Sequence, residues 1–288
     1  MRGLRVVYST LMALVLAGEL VARWRHWGEL PPSPVRPRGV VFDAGPTAPT
    51  LVVLGDSIPA GYGLADATQA WPARLGHLLA QAGTPYRVVD AGIPGETSVQ
   101  GWARWERDVR PWRPRYVLIA FGLNDGHLAH TPTDDWRWAH VPQGIGRYVR
   151  LFHLWRVFRL APPRGEHRTL APRLTPAQTA QIMRGLIHRS RWEGAVPIIL
   201  TPTPITDAFH PEWPDAVRMY QREVYSRTAA AMRRVAYREG VPLVDMAEIM
   251  YPPQEQWYQP DGIHLRSEGH ARYAEIVYNH LSAMLLGR

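Results

Sequence analysis

The sequence predicts an α/β fold in which helices cover both faces of a mostly parallel sheet. Three short apolar runs, at 50–54, 116–121 and 196–200, are each long enough for one buried strand. Segments with helical spacing separate these runs, among them 71–83 and 214–239. Strands that alternate with helices are typical of βαβ units, and the strands of such units run parallel.

The rest of the chain continues the same alternation. Thr175 and Gln178 form a capping-box pattern with Pro176 at the first helical position, which predicts a helix ending near Trp192. The remaining predicted elements are strands at 86–91 and 242–245 and helices at 99–109 and 267–286. We see no internal repeat and no second domain.

The composition narrows the possible chemistry. The 288 residues contain no Cys, and the 33 basic residues are all Arg, so Lys is absent as well. This excludes thiol catalysis, disulfides, cysteine zinc sites and lipidation on Cys. It also excludes Schiff-base lysines and the lysine of a Walker loop. A covalent mechanism must therefore use Ser, Thr, Tyr, His or a carboxylate.

The net charge of +8 is unevenly distributed. Residues 1–40 carry six Arg against two Glu, and residues 141–191 carry ten Arg against a single Glu, so the rest of the chain is mildly acidic. No nucleic-acid motif accompanies the basic stretches, and we expect no nucleic-acid partner. The apolar residues of 141–174 instead suit a basic insertion that packs on the domain or contacts an anionic membrane surface.

The N-terminal segment at 1–27 has the features of a membrane anchor or a signal segment. An uncharged run at 6–18 lies between arginines, and Trp24 and Trp27 follow it. We favour an uncleaved N-terminal helix that anchors an extracytoplasmic catalytic domain. One alternative is a signal segment that is cleaved to release a secreted protein, although no clean cleavage site follows the run. The other is an amphipathic helix that packs on the domain. Residues 28–49, rich in Pro and Gly, are predicted as a linker, and 50–288 as the catalytic domain.

Four short motifs lie after predicted strands or before the last helix. In open parallel sheets, sites form beyond the carboxyl ends of the strands, where three of these motifs belong. The motifs are Gly-Asp-Ser at 55–57, a glycine-containing turn at 92–97, Gly-Leu-Asn-Asp at 122–125 and Asp-Gly-Ile-His at 261–264. Their combination in this order is a far more specific signal than any one of them.

The four motifs together resemble the SGNH (GDSL) hydrolase superfamily. Ser57, Gly95, Asn124 and the pair Asp261 and His264 match its four blocks, with Gly92 a weaker match for the glycine. The resemblance covers about 50–126 and 195–285. It implies a flavodoxin-like three-layer α/β/α sandwich, which agrees with the alternation of strands and helices. No G-x-S-x-G occurs, which argues against an α/β-hydrolase nucleophile elbow.

The resemblance implies a catalytic triad of Ser57, His264 and Asp261. A Ser hydroxyl needs a general base, and His264 would fill that role while Asp261 fixes its tautomer. The same resemblance implies an oxyanion hole made by the backbone N–H groups of Ser57 and Gly95 and by the Asn124 amide. Asp125 is interpreted as structural, and we expect neither a metal nor a cofactor, since His127 and His130 lack a third ligand.

The resemblance therefore implies a serine esterase that acts on a small-molecule, lipid or glycan ester, such as a lysophospholipid, a short acyl ester, a thioester or an O-acetyl group. Two alternatives stay open. One is an O-acyltransferase in which a carbohydrate hydroxyl replaces water, and the other is a catalytically silent binding module of the same fold. The sequence does not distinguish the acyl chain length or the oligomeric state.

Overall fold

The computed structural model describes residues 33–129 and 170–285, together with Thr10, Ala13, Leu14 and Ala17. The predicted anchor or signal segment at 1–27 lies outside the described residues except for those four positions. Within the described parts of the chain, no helix is both long and apolar enough to cross a membrane. Most of the predicted basic insertion, 141–169, also lies outside the described residues.

The described residues form eight strands and eight α-helices in the predicted alternation. The strands are β1 Gly39–Phe42, β2 Thr50–Gly55, β3 Arg87–Gly92, β4 Tyr116–Ala120, β5 Leu128–Ala129, β6 Ala171–Pro172, β7 Val196–Leu200 and β8 Leu243–Val244. The helices are α1 Trp71–Gln81, α2 Ser98–Ala103, α3 Trp105–Asp108, α4 Leu123–Gly126, α5 Pro176–Trp192, α6 Asp215–Glu239, α7 Met246–Ile249 and α8 Ser267–Leu285.

Six of these strands form one sheet in the order β1-β3-β2-β4-β7-β8. All neighbouring pairs are parallel except β1 with β3, and β5 pairs with β6 in a separate antiparallel ribbon. The parallel sheet predicted from the sequence is thus confirmed. The predicted capping box is also confirmed, because the Thr175 hydroxyl accepts the N–H of Gln178 at the start of α5.

Helices cover both faces of the sheet, which makes the fold a three-layer α/β/α sandwich. Leu51 and Val53 of β2 face the layer formed by α1 and α8, whereas Val52 and Leu54 face α2, α3, α5 and α6. All four side chains are buried, as expected for a parallel strand covered on both faces. The apolar run that marks β2 in the sequence therefore serves two cores.

The structure differs from the linker prediction at 28–49, because Gly39–Phe42 forms β1. This strand pairs antiparallel with the outer edge of β3. Phe42 lies against α1 so closely that a Cβ at Gly76 would be 2.5 Å from the Phe42 ring, and it makes an edge contact with His77. The short apolar run of β1 was not recognised as a strand because Pro and Gly residues surround it. In the structure it pairs with the otherwise open edge of the sheet.

The single helix predicted at 99–109 is wrong, because the chain forms two short helices there. Arg104 separates α2 from α3 with φ −98° and ψ 8°. Its side chain is buried in the interior instead of following the solvent face of a continuous helix.

Candidate active site

The ends of three adjacent strands bring three of the sequence motifs to one edge of the sheet. Gly55, at the end of β2, is in register with Gly92 of β3 on one side and with Ala120 of β4 on the other. The loops that follow these strands carry Ser57, Gly95 and Asn124. The parallel register therefore places the three loops side by side.

Ser57 lies in a tight turn directly after β2. The Asp56 carboxylate accepts the N–H of Ile58 at 3.0 Å, and the Ser57 carbonyl accepts the N–H of Tyr62 at 3.1 Å. The turn lies so close to β4 that a Cβ at Gly55 would be 2.6 Å from the Ala120 carbonyl oxygen. A glycine before Asp56 is thus a steric requirement of the turn that presents Ser57.

His264 joins Ser57 to Asp261 through its two ring nitrogens. His264 Nε2 lies 3.0 Å from Ser57 Oγ, and Nδ1 lies 2.6 Å from Asp261 Oδ2. Both distances are within hydrogen-bond range, so the structure brings the three side chains together in one continuous chain of contacts. The Tyr62 ring packs against the His264 ring with centroids 4.6 Å apart, a contact that the sequence did not suggest.

The Asp261 side chain is hydrogen-bonded to the backbone of its own loop. Asp261 Oδ1 accepts the N–H groups of Ile263 and His264 at 3.1 and 3.0 Å. Burial by itself raises the pKa of Asp261, but the hydrogen bonds from His264 and from these two N–H groups outweigh it and lower the pKa below the ordinary value. Asp261 is therefore ionised at neutral pH and fixes a proton on His264 Nδ1.

Gly95 and Asn124 lie on the two neighbouring loops. Gly95 has φ +79°, a conformation that favours glycine, and its carbonyl accepts Arg173 Nη1 at 2.7 Å. The Asn124 side chain is half-buried at the start of α4, and its amide favours the ionised form of the Asp56 carboxyl beside Ser57, which lowers the pKa of that carboxyl. Burial raises the pKa of Asp56 to about 7, with the nearby Asp125 carboxyl adding to the rise.

Asp125 connects the Asn124 loop to helix α2. It is fully buried, and its two carboxylate oxygens accept the backbone N–H and the hydroxyl of Ser98 at 2.8 and 2.6 Å. This contact joins the Asn124 loop to the first residue of α2. Burial raises the pKa of Asp125, and the hydrogen bonds from Ser98 oppose that rise.

The structure contains a buried cluster of charged residues next to these loops that the sequence did not predict. Arg104 has no exposed side-chain surface and contacts the carboxylates of Glu96 and Asp108, at 2.5 and 3.0 Å, and the carbonyl of Gly55, at 2.8 Å. The i,i+4 spacing of Arg104 and Asp108 was the one signal available. Among the described residues, no three His, Asp or Glu side chains converge as metal ligands.

Comparison with known proteins identifies the family to which this chain belongs. Residues 53–272 match the model of the GDSL-like lipase/acylhydrolase family. The chain belongs to that family. This GDSL protein is therefore an ester hydrolase by family, and its three-layer fold is that of solved GDSL lipases and esterases.

Two curated bacterial proteins are similar in sequence to this GDSL hydrolase. It is 29% identical over 222 residues to the thioesterase 1/protease 1/lysophospholipase L1 of Escherichia coli K12, covering 75% of this chain and 76% of the relative. It is 48% identical over 85 residues to the esterase TesA of Pseudomonas aeruginosa, where the match spans 30% of this chain and 42% of that relative.

The solved structures agree with the fold. A crystal structure of TesA superposes with a TM-score of 0.54 at 27% identity, covering 81% of this chain and 97% of the other. A lipase/acylhydrolase from Enterococcus faecalis gives a TM-score of 0.56 at 22% identity, over 82% of this chain and 96% of that one.

Proposed function

We propose that this GDSL hydrolase cleaves carboxylic esters through an acyl-Ser57 intermediate. The observation that carries the proposal is the continuous contact from Ser57 Oγ through His264 to Asp261, at 3.0 and 2.6 Å. Ser57 Oγ attacks the ester carbonyl while His264 Nε2 accepts the hydroxyl proton. The resulting imidazolium is stabilised by the Asp261 carboxylate.

The proton then returns in the second half of the acylation step. His264 Nε2 protonates the leaving alcohol or thiol as the tetrahedral intermediate collapses to acyl-Ser57. A water molecule enters, loses a proton to the same nitrogen and attacks the acyl carbonyl. Collapse of the second tetrahedral intermediate releases the carboxylic acid and restores the Ser57 hydroxyl.

We assign the oxyanion hole to the N–H groups of Ser57 and Gly95 and to the Asn124 amide. The parallel register of β2, β3 and β4, which places the three loops side by side, supports this assignment. An amide has two N–H donors, so Asn124 can interact with the Asp56 carboxyl and still offer one N–H to the substrate oxygen. Loss of one such donor lowers turnover by about 10²–10³-fold.

An organophosphate label tests the nucleophile. A fluorophosphonate should label the wild-type protein once, at Ser57, and should not label Ser57→Ala. Ser226, which is exposed on α6, supplies the control, and Ser226→Ala should be labelled like the wild type. His264→Ala should fold normally and lose most of its turnover of p-nitrophenyl acetate. Equal labelling of Ser57→Ala, or unchanged hydrolysis by His264→Ala, would refute the assignment.

The substrate is proposed as a class. The names of the relatives include thioesterase, lysophospholipase and arylesterase, and we propose a lysophospholipid, a short acyl ester or an O-acetyl group for this enzyme. The decisive measurement is kcat/KM over p-nitrophenyl esters from acetate to long acyl chains, followed by lysophospholipid and acetylated glycan. A maximum at long chains would favour lipid, and a maximum at acetate would favour deacetylation.

The location of the enzyme is also a proposal. We propose that 1–27 takes the catalytic domain out of the cytoplasm, either as a retained anchor or as a cleaved signal, and that the basic insertion faces an anionic membrane. The support is the apolar run between arginines and the excess of Arg at 141–191. Cell fractionation with mass determination of the mature N-terminus tests the first point. Salt-sensitive binding of an anchor-deleted protein to anionic vesicles tests the second.

A further inference from the structure

Arg104 occupies a position between the loops that hold the proposed oxyanion donors. Its guanidinium donates through Nη2 to the Gly55 carbonyl and through Nε to the Glu96 carboxylate. Gly55 lies two residues before Ser57, and Glu96 directly follows Gly95. One rigid planar group therefore contacts the stem of the nucleophile turn and the neighbour of the second donor.

The third contact of Arg104 balances its charge from the opposite side. Asp108 accepts Nη1 at 3.0 Å and is itself paired with Arg107. A cation with no exposed surface persists only where its partners replace the lost water, and here two carboxylates and a carbonyl do so. The cluster therefore fixes the guanidinium in one orientation.

Side-chain packing does not hold the Gly95 loop at its tip. Gly95 is exposed, and a Cβ placed there would meet no atom within 4 Å. Polar contacts hold the loop instead: Arg104 contacts Glu96, and Arg173 contacts the Gly95 carbonyl. The Gly55 carbonyl accepts both Arg104 and the N–H of Ile93, at the base of the same loop.

We propose that Arg104 is a positioning residue that sets the spacing between the Ser57 and Gly95 N–H groups in the oxyanion hole. The inference rests on the proposed function, since it concerns donors assigned there. Arg104 does not touch the substrate and acts through the two loops. Its fork geometry is essential to this role, because Arg104 reaches its three partners from three separate nitrogens, whereas a Lys ammonium carries all its N–H donors on one nitrogen and cannot span them.

Arg104→Lys should lower kcat about 10- to 100-fold, because misplacing an oxyanion-hole donor should cost less than deleting it, which costs about 10²–10³-fold. KM for a p-nitrophenyl ester should stay within about twofold, because Arg104 contacts neither the acyl nor the leaving group. The pH profile should keep its shape, since the contacts of His264 are untouched. The rate of inactivation by a fluorophosphonate should fall by the same factor as kcat, because its phosphoryl oxygen occupies the same hole.

Two further variants separate positioning from general destabilisation. Glu96→Gln keeps the size and one acceptor oxygen and should lower kcat by a smaller factor, and the double variant should be no worse than Arg104→Lys, since both act through one contact. Arg233→Lys makes the same substitution in an ion pair with Asp245, beyond β8, and should leave kcat per labelled site unchanged. If Arg104→Lys fails to fold, Glu96→Gln decides.

A folded variant at either position with wild-type kcat and wild-type inactivation rate would overturn the inference. A fall in kcat matched by Arg233→Lys at equal loss of thermal stability would also overturn it. These outcomes are distinct from failure of the proposed function. In that case the wild type itself would not be labelled, or Ser57→Ala would keep its activity.

Discussion

Asp261→Asn tests the proposed role of Asp261 in fixing the tautomer of His264. Asp261 Oδ1 accepts two backbone N–H groups, and Oδ2 faces His264 Nδ1 at 2.6 Å. An asparagine at this position has one oxygen and one NH₂ group to place. The oxygen must take the Oδ1 position, because an NH₂ group there would confront two N–H donors.

The NH₂ group of the variant therefore faces His264 Nδ1. It donates to that nitrogen and moves the ring proton to Nε2, which then points its N–H at Ser57 Oγ and cannot accept the hydroxyl proton. Rotating the amide to avoid this would break two backbone hydrogen bonds, at about 1 kcal/mol each. The incompetent tautomer thus dominates, and we expect kcat to fall about 10³–10⁴-fold with folding intact.

Two assays check this expectation. Turnover of p-nitrophenyl acetate gives kcat, and ¹⁵N chemical shifts of the His264 ring show which nitrogen carries the proton. The wild type should show the proton on Nδ1 and the variant on Nε2. A variant that turns over within tenfold of the wild type, or one that keeps the Nδ1 proton, would refute the reasoning.

Three further predictions concern stability. Burial raises the pKa of Asp90 to about 7, so ionisation of Asp90 opposes folding increasingly between about pH 4 and 7. Asp90→Asn should therefore become more stable relative to the wild type as the pH rises over this range. A difference in melting temperature between the two proteins that does not change with pH would contradict this. Burial lowers the pKa of His270 to about 3, and its Nδ1 accepts the Trp71 N–H at 3.2 Å. Because of this group, the free energy of unfolding should fall by up to about 5 kcal/mol as the pH falls from 6.5 to 3. His270→Asn should lack this contribution, which acid denaturation followed by circular dichroism would measure. Gly55→Ala would put a Cβ 2.5 Å from the Pro59 ring and 2.6 Å from the Ala120 carbonyl oxygen. It should therefore lower the melting temperature and the activity together. An active variant of wild-type stability would show that the turn can shift.

Residues whose chemistry depends on chain neighbours were predictable from the sequence. Asp261 and His264 are three positions apart, and their contact is made within one loop. Ser57 and Asn124 could be placed because each follows an apolar run that forms a parallel strand, and such strands end at one edge of the sheet. The same logic gave the helical layers, since a strand covered on both faces reads as an unbroken apolar run.

Contacts between distant segments were not predictable in this way. The pairing of Arg104 with Glu96 and Gly55 depends on how α2 docks on the sheet, and in the sequence Arg104 has the spacing of an ordinary exposed helical residue. β1 was missed for a related reason, since an edge strand needs only one neighbour and can be very short. The approach of Asn124 to Asp56 likewise required the register of β2 with β4.

The contact between Ser57 and His264 joins positions 207 residues apart in the chain. Ser57 follows the first parallel strand, whereas His264 precedes helix α8. A ribosome must therefore extend the chain past His264 before the proposed Ser57–His264–Asp261 triad can assemble. If the chain is exported during synthesis, the growing enzyme stays inert toward esters on the side where it is made.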